Sequence, residues 1–227
     1  LFIKSRVTGK NIERYIIKPE TDFILYFENI DDFKALPVSI QEHLNENKKN
    51  LRERATVKNE GRIWWRYSRP MHKEYYHLPK LFCSRRAFRN TFCYDNGFNY
   101  LGFSNMSVVF ETNPAYSLKY VMALLNSKLL TFRYRSIGKQ TGGGSFEYFP
   151  NGIGKLPIPE ADTKTQNEFI LLVDKMLELK EREYAEQNPQ TKKIISRQID
   201  SVENMINKMV YKLYDLNDKD IEIVGQI

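Results

Sequence analysis

Ile195, Ile199, Val202, Ile206, Met209 and Leu213 recur at intervals of 4, 3, 4, 3 and 4 residues, a seam that an α-helix places along one side. Ahead of it, Phe169, Leu172, Val173, Met176 and Leu177 form a second helical stripe, opened by the capping-box pattern Thr165-x-x-Glu168. Asn188-Pro189 breaks the chain between them. Two amphipathic helices joined by so short a break fold as an antiparallel, coiled-coil-like hairpin with charged outer faces. Such a hairpin carries little chemistry: it spaces, packs or mediates assembly. Residues 161–227 are therefore expected to form a helical unit with a short terminal helix, following a different kind of unit in residues 1–160.

The first 160 residues mix short strands with helices. Ile12 to Ile17 and Phe23 to Phe27 are rich in β-branched and aromatic residues, separated by Pro19 and Asp22. Residues 39–54 predict one helix, with Ser39 as its cap, Glu42 three positions on, and Ile40, Leu44 and Leu51 on one face. Residues 62–67, 79–84, 91–95 and 106–111 are strand candidates. Tyr116 to Arg133 predicts a single buried helix after Pro114, with Leu118, Val121, Met122, Leu125 and Leu129 at helical spacing. Glycines 138, 142, 143, 144, 152 and 154 and prolines 150, 157 and 159 make residues 138–160 loop and short strand. The expected class is α+β: a mixed-sheet region followed by the antiparallel helical hairpin.

The net charge of +7, from 35 basic and 28 acidic residues, is unevenly placed. Residues 1–90 carry +8, residues 91–160 carry +2 and residues 161–227 carry −3. Within the first part, residues 48–90 hold 13 basic against 3 acidic side chains, interleaved with Trp64, Trp65, Tyr67, Tyr75, Tyr76, Phe82 and Phe88. Basic side chains neutralise phosphates with release of counterions, and aromatic rings stack on or wedge against bases. A local +10 threaded with aromatics favours a nucleic-acid surface. The plainer alternative is a solvated charged face over a core of Trp and Tyr.

An apolar fraction of 41% with 13% aromatics excludes disorder over most of the chain. Apolar runs are only a few residues long, short of the roughly 18 that span a bilayer, so no membrane partner is expected. The opening Leu1-Phe2-Ile3-Lys4-Ser5-Arg6 does not build a signal peptide. Two cysteines make no disulfide scaffold, which points to a reducing cytoplasm. Beginning at Leu1 rather than Met, the chain reads as a segment of something longer.

Four constellations could carry chemistry. His72, His77, Cys83 and Cys93 supply zinc-ligand types at gaps of 5, 6 and 10 positions, but only the histidine pair has tight ligand spacing, and buried structural thiols explain the cysteines. Gly142-Gly143-Gly144-Ser145 lacks the Gly-Lys-Ser/Thr and helix start of a phosphate-binding loop. Asn113-Pro114-Ala115-Tyr116 is close to the Asn/Asp-Pro-Pro-Tyr/Phe loop of amino-methyltransferases, yet no glycine-rich cofactor motif precedes it, and it suffices as the approach to a helix. Glu178-Leu179-Lys180 has a nuclease-like form but lies inside an amphipathic helix without the carboxylate partner on a strand. No metal, cofactor or catalytic residue is assigned to this chain.

A succession of short motifs resembles the TaqI-like C-terminal specificity domain. It runs from Gly9-Lys10-Asn11-Ile12-Glu13-Arg14-Tyr15 through Leu51-Arg52-Glu53-Arg54 and Trp64-Trp65-Arg66-Tyr67-Ser68-Arg69-Pro70. Leu78-Pro79-Lys80-Leu81, the Tyr120–Leu130 segment with Leu125-Asn126-Ser127-Lys128-Leu129, and the exit Lys155-Leu156-Pro157-Ile158-Pro159 continue the series in order. The closing stretch from Leu213 to Ile221 resembles the terminal helical segment of the same proteins.

The resemblance implies the target-recognition part of an N6-adenine DNA methyltransferase or of a fused, type IIG-like restriction–modification enzyme. An N-terminal methyltransferase domain of the same polypeptide would then bind S-adenosylmethionine, with a nuclease ahead of it in fused members. This chain would read double-stranded DNA without catalysing the reaction. From the charge map, Arg62, Arg66, Arg69, Lys73, Lys80, Arg85, Arg86 and Arg89 are the candidates for phosphate contact and guanine readout. Lys139, Gln140 and Tyr148 border the glycine loop and are candidates for reaching a groove. Competing classes are a protein-interaction module docking through its hairpin and an RNA-binding accessory domain.

Overall fold

The computed structural model describes residues 2–18, 22–27, 30–68, 74–97, 99–102 and 106–226. Its strands are β1 (Ile3–Val7), β2 (Ile12–Glu13), β3 (Ile16–Ile17), β4 (Phe23–Leu25), β5 (Lys80–Ser84), β6 (Arg86–Ala87), β7 (Phe92–Asp95), β8 (Tyr100–Gly102), β9 (Met106–Phe110), β10 (Lys139–Gln140) and β11 (Phe146–Glu147). The helices are α1 (Val38–Glu46), α2 (Lys48–Arg52), α3 (Ala55–Glu60), α4 (Leu118–Leu125), α5 (Lys128–Ile137), α6 (Pro150–Ile153), α7 (Thr163–Ala185), α8 (Pro189–Leu213) and α9 (Asp218–Gly225). The class is α+β, with small sheets and a C-terminal helical pair. Among the described residues no helix is long and apolar enough to cross a membrane.

The centre is the antiparallel sheet β7-β5-β9. Successive side chains of β5 point to opposite faces. Leu81 and Cys83 join Phe92 in the main core, whereas Phe82 packs with Val7, Ile12 and Cys93 on the other side. Both faces are covered, which is why Leu81, Phe82 and Cys83 are all fully buried. A second sheet, β4-β1-β8, is mixed: β1 runs antiparallel to β4 and parallel to β8. The helix α4 is apolar nearly all round, with Leu118, Tyr120, Met122, Ala123, Leu124 and Leu125 buried, as expected of a helix packed between a sheet and other helices.

The single helix expected over Tyr116 to Arg133 is two helices, because Asn126 and Ser127 have better partners than the helix offers. The Asn126 side chain accepts from the Phe92 N–H at 2.8 Å and donates to the Phe92 carbonyl at 2.9 Å, acting as a strand neighbour to the end of β7. Ser127 then caps α5 through the Leu130 N–H, and Asn207 accepts from the Lys128 N–H at 2.9 Å. The expected helix over 39–54 likewise breaks at Asn47 and Glu53. It begins at Val38 after Pro37, and Ser39 is no cap.

Residues 62–67 do not form the expected strand. The Arg54 guanidinium takes the carbonyls of Trp64 (2.6 Å) and Arg66 (2.9 Å), which a strand would have offered to a neighbour. Trp65 is buried with Phe27, Leu36, Ile40 and Leu44. The first helix of the C-terminal pair starts earlier than the Thr165 box implies: Asp162 is its cap, accepting from the Thr165 N–H at 2.7 Å.

The connection 186–188 is short, so α7 and α8 form the antiparallel hairpin, with Phe169, Val173, Met176 and Leu179 facing Ile195, Ile199, Val202 and Ile206. At its end Met209 and Leu213 pack half-buried against the core as expected, and Val210 and Tyr211 join the buried stripe, the drift of a 3.6-residue helix against a 3.5-residue repeat. Tyr120 and Phe169 meet edge to face, so the hairpin and α4 share one core. Two hydroxyls clamp the Leu-Pro-Ile-Pro exit: Tyr120 donates to the Pro159 carbonyl and Tyr214 to that of Pro157.

Candidate nucleic-acid interface

The third sheet, β10-β11-β6, carries the site. Its register sets Lys139 opposite Glu147 and Glu147 opposite Arg86, so three charged side chains line up across three strands. Arg86 donates to Glu147 Oε1 at 3.0 Å through Nη2, and Lys139 Nζ lies 3.4 Å from Oε2. The two cations remain largely in solvent, at 67% and 75% side-chain exposure, around a carboxylate that is 9% exposed. Hydrogen bonding from Arg86, with Lys139 beside it, holds the Glu147 carboxyl below the usual carboxylate range. One buried acid thus fixes two exposed cations in place and cancels only one of their charges.

Neighbouring side chains extend the patch. The Arg85 guanidinium lies over the Phe149 ring, 3.6 Å from its centroid, a geometry that orients the planar fork. The Arg85 carbonyl accepts from the Tyr148 N–H at 2.8 Å, and Arg135 Nη2 donates to the Phe88 carbonyl at 3.1 Å. Asn90, fully buried, closes the turn by donating to the Leu125 carbonyl at 2.7 Å. Gln140 is exposed beside Lys139, and Gly142–Gly144 forms the tip of the β10–β11 connection. Gly143 and Gly144 have φ of 75° and 79°, a backbone that side chains rarely adopt, and Thr141 and Ser145 tie the loop's base together.

The structure brings Arg85, Arg86, Lys139 and Gln140 into one patch, with Arg89 exposed on the same 85–90 turn. Desolvation of its guanidinium and then Arg14, at the junction with α8, push the Arg89 pKa down from its ordinary value, so its inner end lies toward that junction. Arg62 and Arg66 belong elsewhere, on the segment packed around the Trp65 cluster, where Arg62 pairs with Glu60 and Arg66 with Asp31. Arg69 and Lys73 lie outside the described residues, as does His72 of the four zinc-ligand types.

Two candidates are corrected. Lys80 is fully buried: its ammonium contacts Asp95 at 2.8 Å and the carbonyls of Tyr76 and Gly97, so it cannot reach a phosphate. Burial pushes its pKa down from the ordinary lysine value. Tyr148 is also fully buried, stacked on Tyr134 with centroids 4.3 Å apart. Gly152 permits this packing, because a Cβ there would sit 2.7 Å from the Tyr134 hydroxyl.

The other constellations resolve into architecture. Cys83 and Cys93 are free and buried on opposite faces of the central sheet, and burial raises both thiols well above their ordinary pKa. No cluster of three or more metal-ligating side chains occurs among the described residues. Asn113 turns back to accept from the Ala115 N–H at 3.0 Å, and Gln166 holds the Ala115 carbonyl and the Ser117 N–H, so Asn113-Pro114-Ala115-Tyr116 is a turn into α4. Glu178 and Lys180 pair along α7 with Arg182 and Glu183. Phe149, Arg135 and Glu147 complete the cationic patch without having been singled out for it, whereas Phe88 is among the aromatics of the basic stretch. Glu147 gave no local signal, since its role depends on the register of three two-residue strands.

A cationic patch carried on small sheets whose core is shared with a helical hairpin is the kind of surface that suits a polyanionic partner. The TaqI-like C-terminal specificity domain matches residues 4–158, more than half of the chain, and the protein belongs to that family of DNA sequence-specificity domains found in methyltransferases. The match runs from β1 to the clamped exit and includes the whole patch. Among curated proteins no relative matches.

Proposed function

We propose that this chain is the target-recognition part of an adenine-specific DNA methyltransferase, or of a restriction–modification enzyme fused to one, and that it grips double-stranded DNA through the β10-β11-β6 patch. The observation that carries this reading is the Arg86–Glu147–Lys139 row, flanked by Arg85 on Phe149, within a family of specificity domains. An exposed arginine held by a carboxylate and a half-buried one held by an aromatic ring are preorganised forks, suited to phosphate oxygens and to the O6/N7 edge of guanine. Arg62 and Arg66 would add backbone contacts from a second position.

In this reading the chain supplies no reacting group. A methyltransferase domain of the same polypeptide would bind S-adenosylmethionine and modify an extruded adenine, while this domain holds the duplex in register. The two free thiols suit a reducing compartment such as the cytoplasm.

The test is duplex binding across a salt titration. Arg85→Ala with Arg86→Ala should weaken binding and lower the slope of log affinity against log salt by about 2, one per lost phosphate contact. Affinity unchanged by the substitutions would remove the patch from the interface. Salt-insensitive binding to a protein partner would favour an interaction module, and preference for single-stranded RNA over duplex DNA would favour the RNA reading.

A further inference from the structure

The Phe88 ring is in water, on a basic turn whose Phe88 carbonyl is held by Arg135. It is 65% exposed, two residues from Arg86 and one from Arg89. The segment that carries it is pinned at three places: the Arg85 carbonyl by the Tyr148 N–H, the Phe88 carbonyl by Arg135, and the buried Asn90 by the Leu125 carbonyl. The ring is therefore presented on a fixed turn. Phe23 is equally exposed, at 65%, but it stands on β4 opposite Ser5, beside the Arg6–Asp22 pair, on a different sheet from the patch. An exposed apolar side chain rimmed by like charges marks a surface built to be covered by a partner of the opposite charge.

We propose that Phe88 is an apolar base-contacting side chain of the interface, its ring set against the bases of duplex DNA beside the phosphate and guanine-edge contacts of Arg85, Arg86 and Lys139. The inference rests on the DNA-binding reading of the same patch. A phenyl ring offers nothing to a phosphate. Its favourable partners are apolar: a thymine methyl group in the major groove, or the faces of bases at a partly opened step. Either contact adds affinity without releasing counterions, which separates it from everything the arginines contribute.

The experiment measures binding of the 227-residue chain to a mixed-sequence duplex over a salt series. Phe88→Ala should weaken binding about tenfold with the salt slope unchanged, and Phe88→Leu should stay within about threefold of the parent. Phe23→Ala, at an equally exposed ring, should bind as the parent does and serves as the control. Replacing thymine by uracil in the duplex separates the two contacts, weakening a methyl contact and sparing an inserted ring. If the parent chain binds with a steep salt slope and Phe88→Ala binds equally well, the role of Phe88 is overturned and the interface stands. If the parent chain shows no salt-dependent binding, the interface falls together with it.

Discussion

Arg14 and Glu203, 189 residues apart in the chain, meet with Nη1 and Oε1 2.6 Å apart. The Arg14 side chain is 8% exposed and its second nitrogen donates to the Asn126 carbonyl at 2.6 Å. One guanidinium thereby joins the β2–β3 turn, the break between α4 and α5, and the middle of α8. The pair is one fastening between the sheet region and the hairpin, beside the Asn207 bond to Lys128 and the Tyr120–Phe169 contact. Arg14→Ala would strip a partly buried carboxylate of its partner and should cost about 3–5 kcal/mol. For a chain of this size that is a fall in melting temperature on the order of 10 °C, checked by thermal unfolding. DNA binding of the folded variant should keep the parent's salt slope, because Arg14 faces inward.

Asn126→Ala tests the second half of that junction. The substitution leaves the buried N–H of Phe92 unpaired and removes a bond to its carbonyl, so a loss of about 2–4 kcal/mol is expected in urea denaturation. Asn126→Asp, which keeps an acceptor for the N–H but turns no donor toward the carbonyl, should also destabilise. A cost below about 0.5 kcal/mol for Asn126→Ala would mean that the helix break does not depend on this bridge.

Much of the architecture was legible where the physics is local and periodic. The α7–α8 hairpin follows from two apolar stripes and Asn188-Pro189, and β5, β7 and β9 follow from short apolar runs. Two of the misreadings share a cause: a side chain from elsewhere in the chain took over backbone groups. Asn126 breaks a helix by pairing with Phe92, and Arg54 removes a strand by occupying the carbonyls of Trp64 and Arg66. For the site, composition located the basic stretch but could not separate an exposed arginine from a buried lysine. Lys80 and Arg85 are five residues apart in equally basic sequence, and only the pairing of Lys80 with Asp95 across β5 and β7 distinguishes them.

Glu147 should give a pH signature. Its ordinary pKa of 4.5 is lowered in the folded protein by Arg86, then Lys139, so its ionised form is favoured by folding. The stability it contributes is complete above about pH 4.5 and is lost as pH falls through the depressed folded value. Melting curves of the parent and Glu147→Gln should accordingly differ at neutral pH and converge in acid. At neutral pH the same variant should bind duplex DNA of any sequence at least as tightly, having lost a negative charge, while Arg86 and Lys139 lose their fixed positions and base discrimination falls.

The thiols offer a test of burial. Cys83 and Cys93 are fully buried, with pKa values pushed up by desolvation, so neither presents a thiolate near neutrality. A maleimide at pH 7.5 should leave both unmodified in the native chain and modify both in denaturant. Prolonged chelation should leave the melting temperature unchanged, since the two thiols face different cores. Rapid native labelling, or loss of stability with chelator, would require that the central sheet open or hold a metal.

Lys80 is the sharpest test of which basic residues belong to the interface. A phosphate-contacting lysine, when removed, lowers the salt slope by about 1 and leaves stability nearly untouched. Lys80 should behave in the opposite way. Lys80→Met leaves Asp95 buried and unpaired, and a loss of about 3–5 kcal/mol is expected. Asp95 also accepts from Asn99 and from the Tyr100 N–H, so Asp95→Asn retains acceptor capacity while removing the charge. The double variant Lys80→Met with Asp95→Asn should therefore recover a substantial part of the loss, measured as a double-mutant cycle in urea. Once folded, it should bind duplex DNA with the parent's salt slope. A slope lower by one with stability intact would instead place the Lys80 ammonium at the DNA backbone and contradict its burial against Asp95.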